Sequence, residues 1–538
     1  MAKLFSYKNR APHLGPYPLE RLRRRPDRPD LSQLNAKPQL YFKSDDPLSI
    51  VNAMAEYQAM MDLIRDGTVK KERATIPSDP EERANHLKAF GYYCDASMVG
   101  TAKITPDLWL NTPFSNPDVD RLSETLRTKQ VKTLASGIDI ILAGLREAMA
   151  APATTCEHHT DSIVLLYEYP RDPNPTEPGT DWIKNAQVHR AALRASETAS
   201  ILATYIRLLG YDARAHSTSA SDVDIARASV AAGLNQIKDG IAKNPILSTR
   251  YGLAVITTTL QIAPDQPLAD KQPPLYSYKF GTGKHAKSER TRDPYAKRNF
   301  ADGPHPYEKL KRVDDPTTYI DVPNVARVPK RADMFARSLF GDLGAKTQEA
   351  GKNGNYVRKS AAAFAFRPAL GAFALLQDGG KAETIHPTIS EPMRNAANLK
   401  ATAYFLGCDA VGLSDCPEWC YYSHDATGAQ LEPYHDNAIS IVIDQGHETM
   451  EGASGDDWIA CAQSMRAYLR FSLLGGVLAQ QIRNLGYTAN VHTVMGSEVV
   501  QPPLMLLSGL GEVSRIGEVI LNPFLGPRLK SGVVSTTL

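Results

Sequence analysis

The stretch DWIKNAQVHRAALRASETASILATYIRLLGYDARAH, Asp181 to His216, decides the architecture, because it returns as DWIACAQSMRAYLRFSLLGGVLAQQIRNLGYTANVH, Asp457 to His492. The two align without a gap at an offset of 276 residues, and 19 of the 36 pairs are identical. Outward from them, His159 faces His435, Val223 faces Val499 and Gly233-Leu234 faces Gly509-Leu510 at the same offset. After a two-residue shift, Asn244 to Leu260 faces Asn522 to Leu538, and CDASMVG at Cys94 resembles CDAVG at Cys408. A period this long exceeds any solenoid unit, so each copy is expected to be a complete domain with its own core.

The repeat divides the chain into a basic, Pro-rich arm (1–47), a first copy (48–265), a connector (266–352) and a second copy (353–538). The connector, rich in Pro, Lys, Arg and Tyr, reads as an irregular crossing over the surface. Within the second copy, Ile459, Ala462, Leu469, Leu473, Val477 and Ile482 follow the spacing of an amphipathic helix, and Gly486 stands where a helix C-cap belongs. Tyr487 to Val494 and Gly532 to Leu538 then read as strands. The expected class is α+β, that is mixed α/β, in two tandem domains.

Composition narrows the function. In 538 residues, 61 Lys+Arg stand against 59 Asp+Glu, and 42% of residues are hydrophobic, the profile of an ordinary globular protein. The net charge of +2 gives no general reason to expect nucleic acid. The apolar run Ala361 to Leu376 is broken by Arg367 and Pro368, short of what a membrane span needs. Arg23, Arg24 and Arg25 are followed by no apolar stretch, so the arm does not read as an export signal. Six cysteines are too sparse for a disulfide scaffold, and the cytoplasm is the expected compartment.

No GxxxxGK[ST] loop and no HExxH helix is present. Gly509-Leu-Gly511-Glu-Val-Ser-Arg515-Ile-Gly517 has the look of a phosphate-cradling turn without Rossmann spacing, and serves equally as a plain turn. Cys416 and Cys420 offer two thiols where structural metal sites want three or four ligands, which favours buried free thiols and no protein metal site. Tyr421 and Tyr422 are the acid–base candidates; adjacent strand residues point to opposite faces, so at most one can face a cavity. Arg207 and Arg483 occupy matched places in the IR-x-LGY turns, as caps on helix carbonyls or as ligand contacts.

Taken together, DAVGLSDCPEWCYY (Asp409 to Tyr422), IRNLGYTA (Ile482 to Ala489) and QPPLMLLSGLGEVSRIGEVILNPFLGPRLKSGVVSTTL (Gln501 to Leu538) resemble the cobalamin-binding domain of the cobalamin-dependent reductive dehalogenases. The resemblance covers most of 353–538 and, more weakly, the first copy. It implies nitroreductase-like domains holding a base-off cobalamin. It also implies the soluble catabolic branch, which removes halide from halogenated phenols or hydroxybenzoates. On the family's pattern the proton donor is Tyr421, with Arg483 as the cation lowering its pKa and Tyr422 as the alternative. The cofactor-binding set is Tyr487, His492, Gly509, Leu510, Gly511, Arg515, Asn522 and Phe524.

The first copy departs from this set. It has Asn235 where the second has Gly511, and Trp109-Leu-Asn where the second has Trp419-Cys-Tyr-Tyr, which suggests a degenerate partner that packs against or lids the second copy. In the family a ferredoxin-like segment with two [4Fe–4S] clusters follows the last strand; the cysteine runs that bind them are not in this sequence. The expectation is therefore the catalytic part of a reductive dehalogenase drawing electrons from an external donor or an iron–sulfur module, with a homodimer possible. The alternatives are a non-catalytic corrinoid-binding partner or carrier subunit, and a purely structural tandem protein.

Overall fold

The computed structural model describes residues 11–135, 138–150, 154–273, 298–353, 360–389, 391–446, 462–517 and 519–538. Ile459, the first residue of the expected second-copy helix, lies outside them.

In the first half, helices α1 (Ile50–Leu63), α2 (Pro80–Tyr93) and α3 (Gln187–Leu208) accompany strands β1 (Met98–Lys103), β2 (Asp161–Glu168), β3 (Ala213–His216) and β4 (Tyr251–Thr258). In the second, α4 (Arg367–Ala374), α5 (Pro392–Leu406) and α6 (Ala462–Asn484) accompany β5 (Ala410–Asp415), β6 (Asn437–Asp444), β7 (Ala489–His492) and β8 (Leu529–Thr536). The fold is mixed helix and strand. Each half carries an antiparallel sheet, ordered β1-β2-β4-β3 and β5-β6-β8-β7. The registers correspond: Thr258 pairs with Asp161 and Ala213, and Thr536 with Asn437 and Ala489.

Strand alternation explains how the halves join. On β2, Ile163 and Leu165 face the large central core, whereas Val164 and Leu166 face a separate outer cluster. On β6, Ile439, Ile441 and Ile443 face the same central core. Helices α1, α3, α4 and α6 fill the space between, so the copies share one core instead of closing two. Tyr57 of α1 would meet any Cβ placed at Gly476 of α6, and its hydroxyl donates to Leu376 O at 3.3 Å. Asp95 ties the halves ionically, gripped by Arg194 from its own half and by Arg466 and Arg470 from the other.

Among the described residues, the arm and the connector each contain a matched, packed stretch. GPYPLERLRR (Gly15 to Arg24) recurs as GPHPYEKLKR (Gly303 to Arg312), six of ten residues identical. Both stretches begin at a glycine with φ near +66°, packed on Tyr92 and Tyr404 respectively, where a Cβ would strike the ring. Both end with an arginine donating to a matched carbonyl, Arg24 to Gly233 and Arg312 to Gly509. Each sheet thus has its own strap.

Candidate functional site

A cavity of about 600 Å³ opens in the second half, within the range of cofactor and substrate sites. One wall is aliphatic: Val494, Val499, Val500, Met505, Ile520 and Leu529. Lys530 and Ser531 enter from the start of β8, Gln445 from beyond β6, and Tyr468 from α6. Further lining comes from the connector, through Lys330, Asp333 and Phe335, and from Lys132 to Ala135 of the first half.

The cavity exists because α6 stands off the first residues of β8. Phe471 of α6 lies on Gly532, where a Cβ would fall 2.0 Å from the ring. One turn earlier Tyr468 faces Lys530, whose Nζ is 5.1 Å from the ring centroid. Leu529, Lys530 and Ser531 are only part-buried as a result, unlike every residue of β4.

Tyr422 is the one expected catalytic residue that lines this cavity. Lys330 Nζ lies 4.6 Å from its ring centroid and 3.3 Å from Asp333 Oδ2, and the phenol oxygen is 3.5 Å from that carboxylate. Backbone bonds fix the group: Tyr422 N donates to Glu498 O, and Lys330 N donates to His424 O. Burial, reinforced by the Asp333 carboxylate, pushes the phenol's pKa well above its ordinary value. The lowering expected for Tyr421 from Arg483 has no counterpart at Tyr422, whose surroundings act in the opposite direction.

Comparison with solved structures places this geometry. The catabolic reductive dehalogenase NpRdhA matches over 100% of this chain and 71% of its own, with 36% identity and a TM-score of 0.84. The same protein in complex with 3-bromo-4-hydroxybenzoic acid matches at 35% identity and a TM-score of 0.83, over the same shares of the two chains. The chain belongs to the reductive dehalogenases. A further reductive dehalogenase structure, described for B12-dependent dehalogenation, matches at 36% identity and a TM-score of 0.83, again over 100% of this chain and 71% of the other. No family model matches the sequence, and no curated protein does.

The other residues expected of a dehalogenase site fall elsewhere. Tyr421 is buried away from the cavity; its hydroxyl donates to His435 O at 3.0 Å and accepts from His435 N, and burial raises its pKa. Arg483 does not meet it. Its guanidinium donates to Ala489 O at 2.9 Å and to Gln480, as Arg207 donates to Ala213 O at 2.8 Å, so the matched arginines tie helix ends to the following strands. Cys416 and Cys420 are buried free thiols.

None of the expected cofactor-binding residues lines the cavity either. Both ring nitrogens of buried His492 are engaged, by Ser535 Oγ and by Glu498 N. Gly509, with φ +70°, and Gly511, whose Cβ would lie 2.5 Å from Leu521 O, make a turn and a close strand pairing. Leu510 is core, and Asn522 caps its own turn and donates to Leu510 O. Phe524 stacks on His305 of the strap, Tyr487 reaches Ile389 O, and Arg515 is exposed.

The backbone partner of Val223 is Trp109, and that of Val499 is Tyr421. Trp109 therefore corresponds to Tyr421, not to Trp419 as the sequence suggested, and Leu110 corresponds to Tyr422. Lys330, Asp333 and Lys530 went unpredicted: the first two sit in the supposed spacer, and the third stands within the quoted motif without a recognisable pattern around it.

Proposed function

We propose that the protein is a cobalamin-dependent reductive dehalogenase, or its catalytic part, acting on a halogenated aromatic such as a halophenol or halo-hydroxybenzoate. The observation that carries the reading is the 600 Å³ cavity with the buried phenol of Tyr422 in its lining, in a chain that belongs to this family. The first half is read as a degenerate copy, Leu110 replacing the phenol.

The lining suits a corrinoid: its aliphatic residues would hold the apolar faces of the ring, and Lys530, Gln445 and the hydrogen-bonded pair Gln501 and Ser531 would supply polar contacts to its amides. The lining holds neither histidine nor cysteine among the described residues, so a metal held here would be one carried in its own macrocycle. When bound and reduced to Co(I), cobalamin supplies the electron pair that breaks the carbon–halogen bond.

The chain's own part is positioning and proton delivery. Lys330 and Asp333 hold Tyr422, and the Lys330 ammonium offsets the negative charge left on its oxygen once the proton has gone to the ring carbon. The balance is one halide released for one proton and two electrons consumed. The electrons come from an external donor or an iron–sulfur module; that module, the base-off state of the cofactor and a cytoplasmic setting belong to this proposal. Among the described residues no helix is long and apolar enough to cross a membrane.

The test is reconstitution with cobalamin, reduction by a strong chemical reductant and measurement of bromide released from 3-bromo-4-hydroxybenzoate. Uptake with release is expected. Uptake without release would favour a corrinoid carrier or partner subunit, and failure to bind any corrinoid would remove the reading.

A further inference from the structure

The first half holds a cluster that dehalogenation does not use. His158 and His159 stand just before β2 and Asp212 just before β3; because Asp161 and Ala213 both pair with Thr258, the three reach the same end of the sheet. His158 Nε2 is 2.8 Å and His159 Nε2 3.2 Å from Asp212 Oδ2, and the three ligand atoms lie within 4.8 Å of one another.

His159 supplies an independent pointer. Its side chain is 1% exposed, Nδ1 is 2.7 Å from Thr257 Oγ1, and Nε2 makes no well-formed hydrogen bond, meeting only the Asp212 carboxylate at 3.2 Å. A buried ring nitrogen held from behind by a hydroxyl and left open in front is how proteins orient a metal-binding imidazole.

The second half shows the same scaffold without the ligands. There His435 replaces His159 and Ser535 replaces Thr257, but Tyr434 stands for His158 and Thr488 for Asp212; His435 Nε2 lies 3.0 Å from the Thr488 hydroxyl and is satisfied. One architecture thus carries a closed hydrogen bond in one half and two added ligand groups in the other.

We propose that His158 Nε2, His159 Nε2 and Asp212 bind a divalent transition-metal ion of the zinc type. Three protein ligands leave a fourth position for water, on the side where His158 is half-exposed. Both Nε2 atoms must be free of protons, which for His159 requires Nδ1 to donate to Thr257 Oγ1, an oxygen that also meets His216 Nε2. Arg207, which feels the charge of Asp212, is committed to Ala213 O and Thr204. The neighbouring trio Cys156, His216 and Asp222 is not equivalent: Arg65 and Arg214 lie 3.2 and 3.4 Å from Asp222, and Arg214 lies 3.5 Å from Cys156 Sγ, so cations already hold it.

The experiment titrates zinc ion into the metal-free full chain against a chromophoric chelator and follows thermal melting. One zinc per chain and a higher melting temperature are expected. His158→Tyr and Asp212→Thr, which install the second half's residues, should each weaken binding by more than the roughly 10–100-fold that loss of an outer-shell partner costs; Cys156→Ser should change nothing. His158 is exposed enough for its variant to fold, checked by an unchanged melting temperature without zinc. Absence of stoichiometric zinc, binding undiminished in His158→Tyr, or binding lost in Cys156→Ser would each overturn the proposal.

Discussion

The two halves share strand order, register and strap, yet one holds a cavity of about 600 Å³ and the other, at the corresponding place, a space of about 30 Å³. The small space is bounded by Leu110, Val223, Asp224 and Ile225, counterparts of Tyr422, Val499, Val500 and Gln501, and by Ala36 to Pro38 of the arm. The cause lies in two glycines. In the first half Gly252 lets α3 come down on β4, so that a Cβ there would sit 2.3 Å from the backbone of Ala191. In the second half Lys530 occupies that position, and the glycine, Gly532, stands two residues on, under the ring of Phe471. Moving one glycine by two positions along a strand converts a helix–strand contact into a ligand-sized space.

The largest effect separates the two tyrosines. Tyr422→Phe should lower dehalogenation about 1,000-fold, the range of general acid catalysis, while corrinoid uptake followed by its visible spectrum is unchanged. Tyr421→Phe, which leaves the buried His435 backbone without its partner, should cost about 1–3 kcal/mol in urea unfolding and leave the chemical step intact. If the two results were exchanged, the donor assignment would revert to Tyr421.

Next come the props. Phe471→Ala removes the spacer between α6 and β8 and should destabilise the protein by roughly 3–5 kcal/mol, with corrinoid affinity falling alongside. Gly252→Ala, against unyielding backbone, should cost about 1–3 kcal/mol without touching corrinoid binding. A Phe471→Ala protein that bound corrinoid as well as the parent would show that something else holds the cavity open.

How far the sequence reveals all this depends on what kind of pattern each feature leaves. The mixed fold and the long helix were legible because gapless identity between the two stretches and apolar periodicity survive in one dimension. The straps carried a comparable signal in GPYPLERLRR and GPHPYEKLKR, but their offset is 288, not 276, and a Pro-rich composition invites the reading of a spacer. The site was least legible. Glycines and asparagines retained in both copies, such as Gly509 and Asn522, attract notice for the turns they make, whereas Lys330, Asp333 and Lys530 belong to one half alone. Residues that differ between the halves mark the cavity; residues that agree mark the scaffold.

A smaller effect follows from histidines common to both halves. Burial lowers His216 and His435 to about 4 and His492 to about 3, against about 6.5 for the unfolded chain. The unfolded state takes up these protons first. Stability is therefore complete above about pH 6.5, and each histidine removes roughly 1.4 kcal/mol per pH unit as the pH falls toward its folded value. Urea midpoints at pH 7.5 and 5 should show the loss, and a His492→Asn protein should show a shallower one. A slope unchanged by that substitution would mean that His492 is charged in the native state.

The smallest effect is the one that best separates scaffold from site. Asn244 accepts from Ile246 N and Leu247 N and donates to Leu234 O; Asn522 accepts from Phe524 N and Leu525 N and donates to Leu510 O. These three bonds correspond, the remaining amide proton going to the Met98 sulfur from Asn244 and to the Tyr307 hydroxyl from Asn522, so Asn244→Ala and Asn522→Ala should each cost about 1 kcal/mol, with Asn522→Ala the costlier, in separate urea titrations. Neither asparagine lines the cavity, so neither substitution should alter corrinoid affinity. A loss of affinity confined to Asn522→Ala, with stability preserved, would return the NPxLG turn to the binding site and make the likeness of the two turns a coincidence of backbone shape.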